Sequence, residues 1–264
     1  MQSFRRFWIA GALAGLAAAS AGCKSDTEGS LLNEVLNTSQ TATPTAAAID
    51  TFDRANADRR RRGLAALAAS PFGHVDTYVR LYRNHLTDPD PTVRAAAAKA
   101  LGMHGDGNDV HLLIPYLKDE DSYVRWQAAE ALQRLHHPAA ADPLAVVATS
   151  DEDDDVRQAA ATALGQYARP GVFDALVKAL GDRNYTVASA ARVSLETLTG
   201  HDAGLDYAAW MQFADEHQED LFARGKPYTF EPYPGHPSWV QRLNPISSSK
   251  IESAEPQRPR GVEG

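Results

Sequence analysis

Along the middle of the chain, valine, alanine and leucine return together at one fixed interval. Val93, Val124, Val156 and Val187 are separated by 31, 32 and 31 residues, a period that marks a stacked repeat. Four positions after each valine stands Ala97, Ala128, Ala160 or Ala191, and eight after it Leu101, Leu132, Leu164 or Leu195. Spacings of four and eight place all three residues on one face of a helix. The polar positions keep the same register. Asp88, Asp119, Asp151 and Asp182 lie five before the valine, and Asp90, Asp121, Asp153 and Asn184 three before it. Asp and Asn at that second position are N-cap residues, whose side-chain oxygen takes an otherwise orphaned backbone N–H. Pro91 then fits the first helical position, where no donor is needed.

A second amphipathic segment precedes each cap, as in residues 110–117 and 173–180. Each repeat therefore reads as a helix hairpin too thin to bury its own apolar face, which it hides by stacking on its neighbours. The predicted fold is all-α: an α-solenoid of stacked hairpins with an irregular C-terminal strap. The alanines serve close helix approach.

The flanks follow different patterns. Residues 49–70 read as a helix capping the first face of the array. It carries Arg59, Arg60, Arg61 and Arg62, which could grip lipid headgroups or an acidic partner, but a consecutive run wraps several helix faces, and pairing with Asp53, Asp58 or nearby turn acids is the favoured reading. Residues 206–222 read as a closing helix with Tyr207, Trp210, Met211 and Phe213 for packing. Residues 226–245 hold five prolines and four aromatics, which excludes regular helix and suggests an extended strap on the solenoid or an aromatic recognition patch. The expected organisation is signal 1–22, tether 23–48, solenoid 49–221, strap 222–245 and disordered tail 246–264.

The chain has 26 basic and 34 acidic residues, a net charge of −8, so phosphate neutralisation, and with it non-specific nucleic-acid binding, is not expected. Its single cysteine, Cys23, excludes an intrachain disulfide. Arg5 and Arg6, an apolar run over residues 7–19 and a small-residue stretch lead to that cysteine, the pattern of a secretory signal. The ending Ser20-Ala21-Gly22-Cys23 resembles the lipobox of bacterial lipoproteins, with Ser20 where that family usually has Leu. The resemblance implies cleavage before Cys23, lipidation of its thiol and a periplasmic location. Lys24, in place of the Asp that retains enteric lipoproteins at the inner membrane, points to the outer one. Multiple acyl chains hold firmly where one does not, and an acidic body should stand off anionic headgroups.

The outline L-x-x-x-L-x-D-x-(D/N)-x-x-V-R-x-x-A-A-x-A-L-G, over roughly residues 74–200, resembles HEAT repeats of the phycobilin-lyase-like subclass. In such repeats the second helices line the concave surface, so residues one, two and five after each valine are expected to point outward. That set gives Arg94, Arg125, Arg157, Trp126, Gln158, Ser189 and Arg192, of which all but Ser189 are taken as partner-binding candidates. The three first-named arginines would also form a ladder with Asp119, Asp151 and Asp182. Trp126, beside them, is the leading contact anchor, unless it packs under the strap.

No residue set reads as an active site. Deoxyhypusine hydroxylase, built of similar repeats, holds iron with His-Glu dyads after the signature arginine; here those positions are Ala95-Ala96, Trp126-Gln127, Gln158-Ala159 and Ser189-Ala190. His104, Asp106, Asp109 and His111 crowd one loop, but its glycines and capping residues read as an inter-repeat turn and no metal is assigned. His136-His137-Pro138 reads as a helix end suited to an imidazolium. The run Asp151–Asp155 reads as a solvated turn plus one cap. No cofactor is expected. The expected function is a lipid-anchored, non-catalytic protein-interaction scaffold with an unidentified protein partner. The alternatives are a regulatory subunit or enzyme of the HEAT-like lyase or hydroxylase type, and a purely structural envelope component.

Overall fold

A computed structural model describes residues 43–230 and 255–261. The signal, Cys23, most of the tether, residues 231–245 of the strap and much of the tail lie outside the described residues. Two compact units divide at residue 41, and the described residues all belong to the second. Its helices are α1 (Pro44–Asp50), α2 (Ala57–Ala68), α3 (Asp76–His85), α4 (Pro91–His104), α5 (Val110–Leu113), α6 (Ser122–Arg134), α7 (Ala141–Ser150), α8 (Asp154–Leu164), α9 (Pro170–Ala179), α10 (Tyr185–Thr199) and α11 (Tyr207–Glu216). Among the described residues none is long and apolar enough to cross a membrane.

The recurring positions are buried as the periodicity requires. Val93, Val124, Val156 and Val187, the alanines four residues on and the leucines eight residues on are all inaccessible to solvent. They belong to α4, α6, α8 and α10, which pack side by side as one layer, while α3, α5, α7 and α9 form the other. Small residues set the spacing within the first layer. A Cβ on Gly102 of α4 would lie 2.9 Å from Ala131 Cα of α6, so the two helices meet backbone to backbone. Ser194 of α10 turns its hydroxyl back to donate to Ala161 O of α8 at 2.8 Å.

The N-terminal region departs from the expected single helix over 49–70. The chain forms α1, turns, and restarts at α2, so residues 44–48 are helical and not tether. Thr43 caps α1 with Pro44 at its first position, and Asn56 caps α2 by accepting from Arg59 N at 3.1 Å. Counted from that cap, Arg59 occupies the valine position, Gly63 the alanine position and Leu67 the leucine position. Gly63 and Leu67 are buried, and α2 packs on α4 as the other second helices pack on one another. A degenerate copy thus precedes the four legible ones, giving five hairpins among the described residues. Pro115 breaks the first helix of the middle hairpin, where α5 gives way to a 3-10 turn over Ile114–Lys118.

At the far end α10 stops at Gly200, with φ 71°. A side chain there would be strained by that φ and would also run into Arg224 O. The closing helix is shorter than the expected 206–222. α11 packs on α9 through Trp210, fully buried, whose ring meets Phe173 edge-on at 6.3 Å and whose Nε1 donates to Gly204 O at 2.9 Å.

The end of the chain returns to the array. Residues 225–230 run without helix, and Phe230 pairs with Gln257 through two backbone hydrogen bonds of 2.8 and 2.9 Å. Residues 255–261, expected to be disordered tail, are held there: Arg260 N donates to Arg134 O at 2.8 Å and its carbonyl accepts from His136 N at 2.7 Å. The cause is the row of second-helix C-termini, each with carbonyls lacking a donor. Lys226 N serves Thr197 O, the Tyr228 hydroxyl Thr162 O, and the Arg260 guanidinium Gly105 O and Met103 O.

Candidate functional site

The turn before each second helix builds a charged ladder from the repeat's own polar residues. In Asp-x-(Asp/Asn), the first side chain accepts from the backbone N–H two residues on, at 2.8–3.0 Å in all four copies. The second side chain caps the helix. The arginine after each of the first three valines then joins two repeats. Arg94 holds Asp119 through Nε and Nη2 at 2.9 and 2.8 Å, and its Nη1 donates to Asp88 O and Pro89 O of its own turn. Arg125 holds Asp151, and Arg157 holds Asp182, with the same two-sided geometry. Arg60 supplies a further rung to Asp88 at 2.8 Å through both nitrogens.

No side chain in these rungs exceeds 13% exposure. Burial pushes the Asp119 carboxyl up, but the Arg94 bond and the Asp121 N–H outweigh it and leave it below the usual carboxylate range. Asp88 behaves likewise beside Arg60. At Asp182 the Arg157 bond is the leading influence, and it too ends low. Arg94, Arg125 and Arg157 therefore do not face outward: bidentate and buried, they belong to the inter-repeat joint. The physical reason is that a second helix inside the array has neighbours on three sides. That also covers the position five after the valine, where Ala98, Ala129 and Ala161 are fully buried.

What remains open is narrower. Trp126 of α6 and Gln158 of α8 are half-buried and line one groove of about 410 Å³ with Glu130, Gln133, Asp155 and Thr162. Tyr123, exposed, leans on Trp126 with ring centroids 5.5 Å apart. Trp126 is therefore not covered by residues 225–230. Those residues bound the groove at one end instead, where the Tyr228 hydroxyl accepts from Gln133 Nε2 at 2.9 Å and donates to Thr162 O at 3.0 Å. Arg192 lies apart from this groove and pairs with Asp202, whose pKa falls to about 2 under that bond.

The remaining arginines of the 59–62 run have local partners: Arg59 meets Asp50 and Asp53, and Arg61 meets Asp58. In the loop around His104, Asp106 and Asp109 form a reciprocal capping box, and Asp109 also takes Arg83 at 2.6 Å. His104 Nε2 bonds Ala68 O at 2.6 Å, while His111 packs edge-on against His137 at 4.6 Å. His137 starts a 3-10 turn, its Nδ1 accepting from Ala139 N at 3.2 Å. Among the described residues, no three His, Cys, Asp or Glu side chains converge as a metal would require.

Layered hairpins with this turn chemistry define a class, the α-solenoid of HEAT-type repeats, and residues 79–163 and 110–196 match the family model for HEAT repeats. Among solved structures, the chain is similar to the crystal structure of YibA from Escherichia coli, with 20% identity and a TM-score of 0.51 over 76% of this chain and 84% of that one. Two engineered proteins also align, at 20% and 17% identity and TM-scores of 0.45, covering 65% and 67% of this chain and 89% and 95% of theirs. No curated protein matches the sequence.

Proposed function

We propose that this protein is a lipid-anchored, non-catalytic scaffold that holds a protein partner on the periplasmic side of a bacterial membrane, the outer rather than the inner one. HEAT-type solenoids fit protein interaction because a stacked layer presents a broad, pre-formed surface at little ordering cost. The observation that carries the reading is the division of labour on the second-helix layer. Its signature arginines Arg94, Arg125 and Arg157 are consumed within the array, whereas Trp126 and Gln158 line an open groove beside the exposed Tyr123. Trp in such a setting is the residue type that dominates interface energetics. The anchor rests on the lipobox-like ending at Cys23 and its Lys24 neighbour, and kinship with the phycobilin-lyase-like subclass rests on the Asp-x-(Asp/Asn)-x-x-Val-Arg turn.

Detergent extraction with mild crosslinking and affinity purification tests both halves. Wild type should retain a stoichiometric protein partner that Trp126→Ala loses, with the helical spectrum unchanged. Cys23→Ser should leave the membrane fraction. A Trp126→Ala protein that keeps every partner removes the groove, and a Cys23→Ser protein that stays membrane-bound removes the anchor.

A further inference from the structure

Exposed apolar side chains are concentrated in the two turns that flank α2, in the first hairpin of the array. Of the eleven large apolar side chains exposed among the described residues, four lie within 49–75, including both exposed phenylalanines. Ile49 and Phe52, at the end of α1, are 66% and 69% accessible. Phe72 and Val75, in the turn between α2 and α3, are 56% and 40% accessible. Leaving two phenylalanines in water forgoes burial free energy that packing would otherwise supply, and such concentrations mark interaction surfaces.

Charge divides the same way. Residues 43–75 carry five arginines against three aspartates, whereas residues 76–230 carry fourteen basic against twenty-four acidic side chains. With Arg60 neutralised by Asp88 inside the array, the first end keeps one positive charge in excess, Arg54, Arg59, Arg61 and Arg62 against Asp50, Asp53 and Asp58, on an otherwise acidic unit. Arg54 and Arg62 are exposed there, Arg62 bonded only to a carbonyl, that of Asp58.

We propose that this first end is a lipid-contacting surface: Ile49, Phe52, Phe72 and Val75 enter the interfacial region of an anionic membrane while Arg54 and Arg62 meet its headgroups. Cys23 lies twenty residues before Thr43, the first described residue of this end. An acylated Cys23 would join the membrane to the array at this end of the sequence. Electrostatic attraction to anionic lipid and apolar insertion reinforce each other at such a surface, while the acidic remainder is repelled. This inference borrows proximity from the anchoring proposal, but its surface chemistry stands without it.

The test uses the polypeptide from Lys24 onward, which has no acyl group. Its outcome is therefore independent of whether Cys23 is lipidated, which the Cys23→Ser fractionation decides separately. The unit beyond residue 41 contains the whole described core. It should co-sediment with phosphatidylglycerol-phosphatidylethanolamine vesicles and not with phosphatidylcholine vesicles, and high salt should weaken the binding. Phe52→Ser/Phe72→Ser should lower binding at least about fivefold. Arg54→Gln/Arg62→Gln should lower it and flatten the salt dependence. Tyr185→Ser, on an equally exposed aromatic elsewhere, should change nothing, and thermal melts establish that each variant is folded. Equal binding to both vesicle types, no binding, or indifference to the phenylalanine changes overturns the proposal. So does a Phe52-dependent dimer seen by light scattering without vesicles, which would assign the surface to a second copy of the chain.

Discussion

Arg125 grips the Asp151 carboxylate through Nε at 2.9 Å and Nη2 at 3.0 Å, while its Nη1 holds Asp119 O in the preceding turn. One side chain thus ties the loop that starts its own helix to the loop that starts the next. Removing only one partner leaves a buried charge alone, at a cost of about 3–5 kcal/mol. Arg125→Met and Asp151→Leu should each lower stability by that order in urea denaturation. The double variant should recover part of the loss, and equal losses in all three would refute coupling across the joint.

The ladder gives the stability an acid edge. The pKa values of Asp88, Asp119 and Asp182 are lowered from 3.8 in the folded protein. Their stabilising contribution is therefore complete above 3.8 and is lost as pH falls through the lower folded values. A urea series should show a steep fall in stability below about pH 4, reduced in an Asp119→Asn/Arg94→Met variant.

A milder dependence should appear near neutrality. Burial pushes His104 down from 6.5, and the charges of Arg260 and His74 add to the effect, against the bond to Ala68 O. The folded state therefore takes up a proton less readily than the unfolded one. Stability should fall as pH drops below 6.5 and level off below the folded value. An imidazole titration by NMR should place His104 below 6.5, and His104→Gln should flatten that part of the profile.

Two glycines should respond in opposite directions. At Gly102 a methyl would meet Ala131 Cα at 2.9 Å, whereas at Gly171 nothing lies within 4 Å. Gly102→Ala gains helix propensity but forces α4 from α6, for a net loss of about 1 kcal/mol. Gly171→Ala, free of that contact, should gain about 0.5–1 kcal/mol. Thermal denaturation of both proteins decides the point.

The returning C-terminal segment should protect the helix ends it covers. Tyr228→Phe removes an acceptor for Gln133 and a donor for Thr162 O, and should cost about 1–2 kcal/mol. Hydrogen exchange should quicken in the last turns of α6 and α8 and not in α3.

The repeat was legible because valine, alanine and leucine at fixed offsets, with their capping residues, report helix period and burial directly. The Arg–Asp pairing was legible too, since both residues recur in phase. The copy containing α2 escaped notice because arginine fills its valine slot and glycine its alanine slot; the Asn56 cap, with Gly63 and Leu67 at the right offsets, was the available signal. Outward positions were overestimated for a different reason. Periodicity on one helix shows which face is apolar, but not that neighbours on both sides also cover the small and charged positions. Residues 255–261 carry no apolar period, because what fixes them is the unsatisfied carbonyls of distant helices, information that is absent from their own sequence.

One substitution in the series has a consequence for length. Where the other second helices carry arginine, α10 carries Ala188, buried, so the final hairpin extends no hand toward a successor. Growth by one more unit, or by docking another molecule tail to head, would have to begin without the clasp that secures every earlier joint. A single alanine thus acts as a terminator, fixing where the row of hairpins stops.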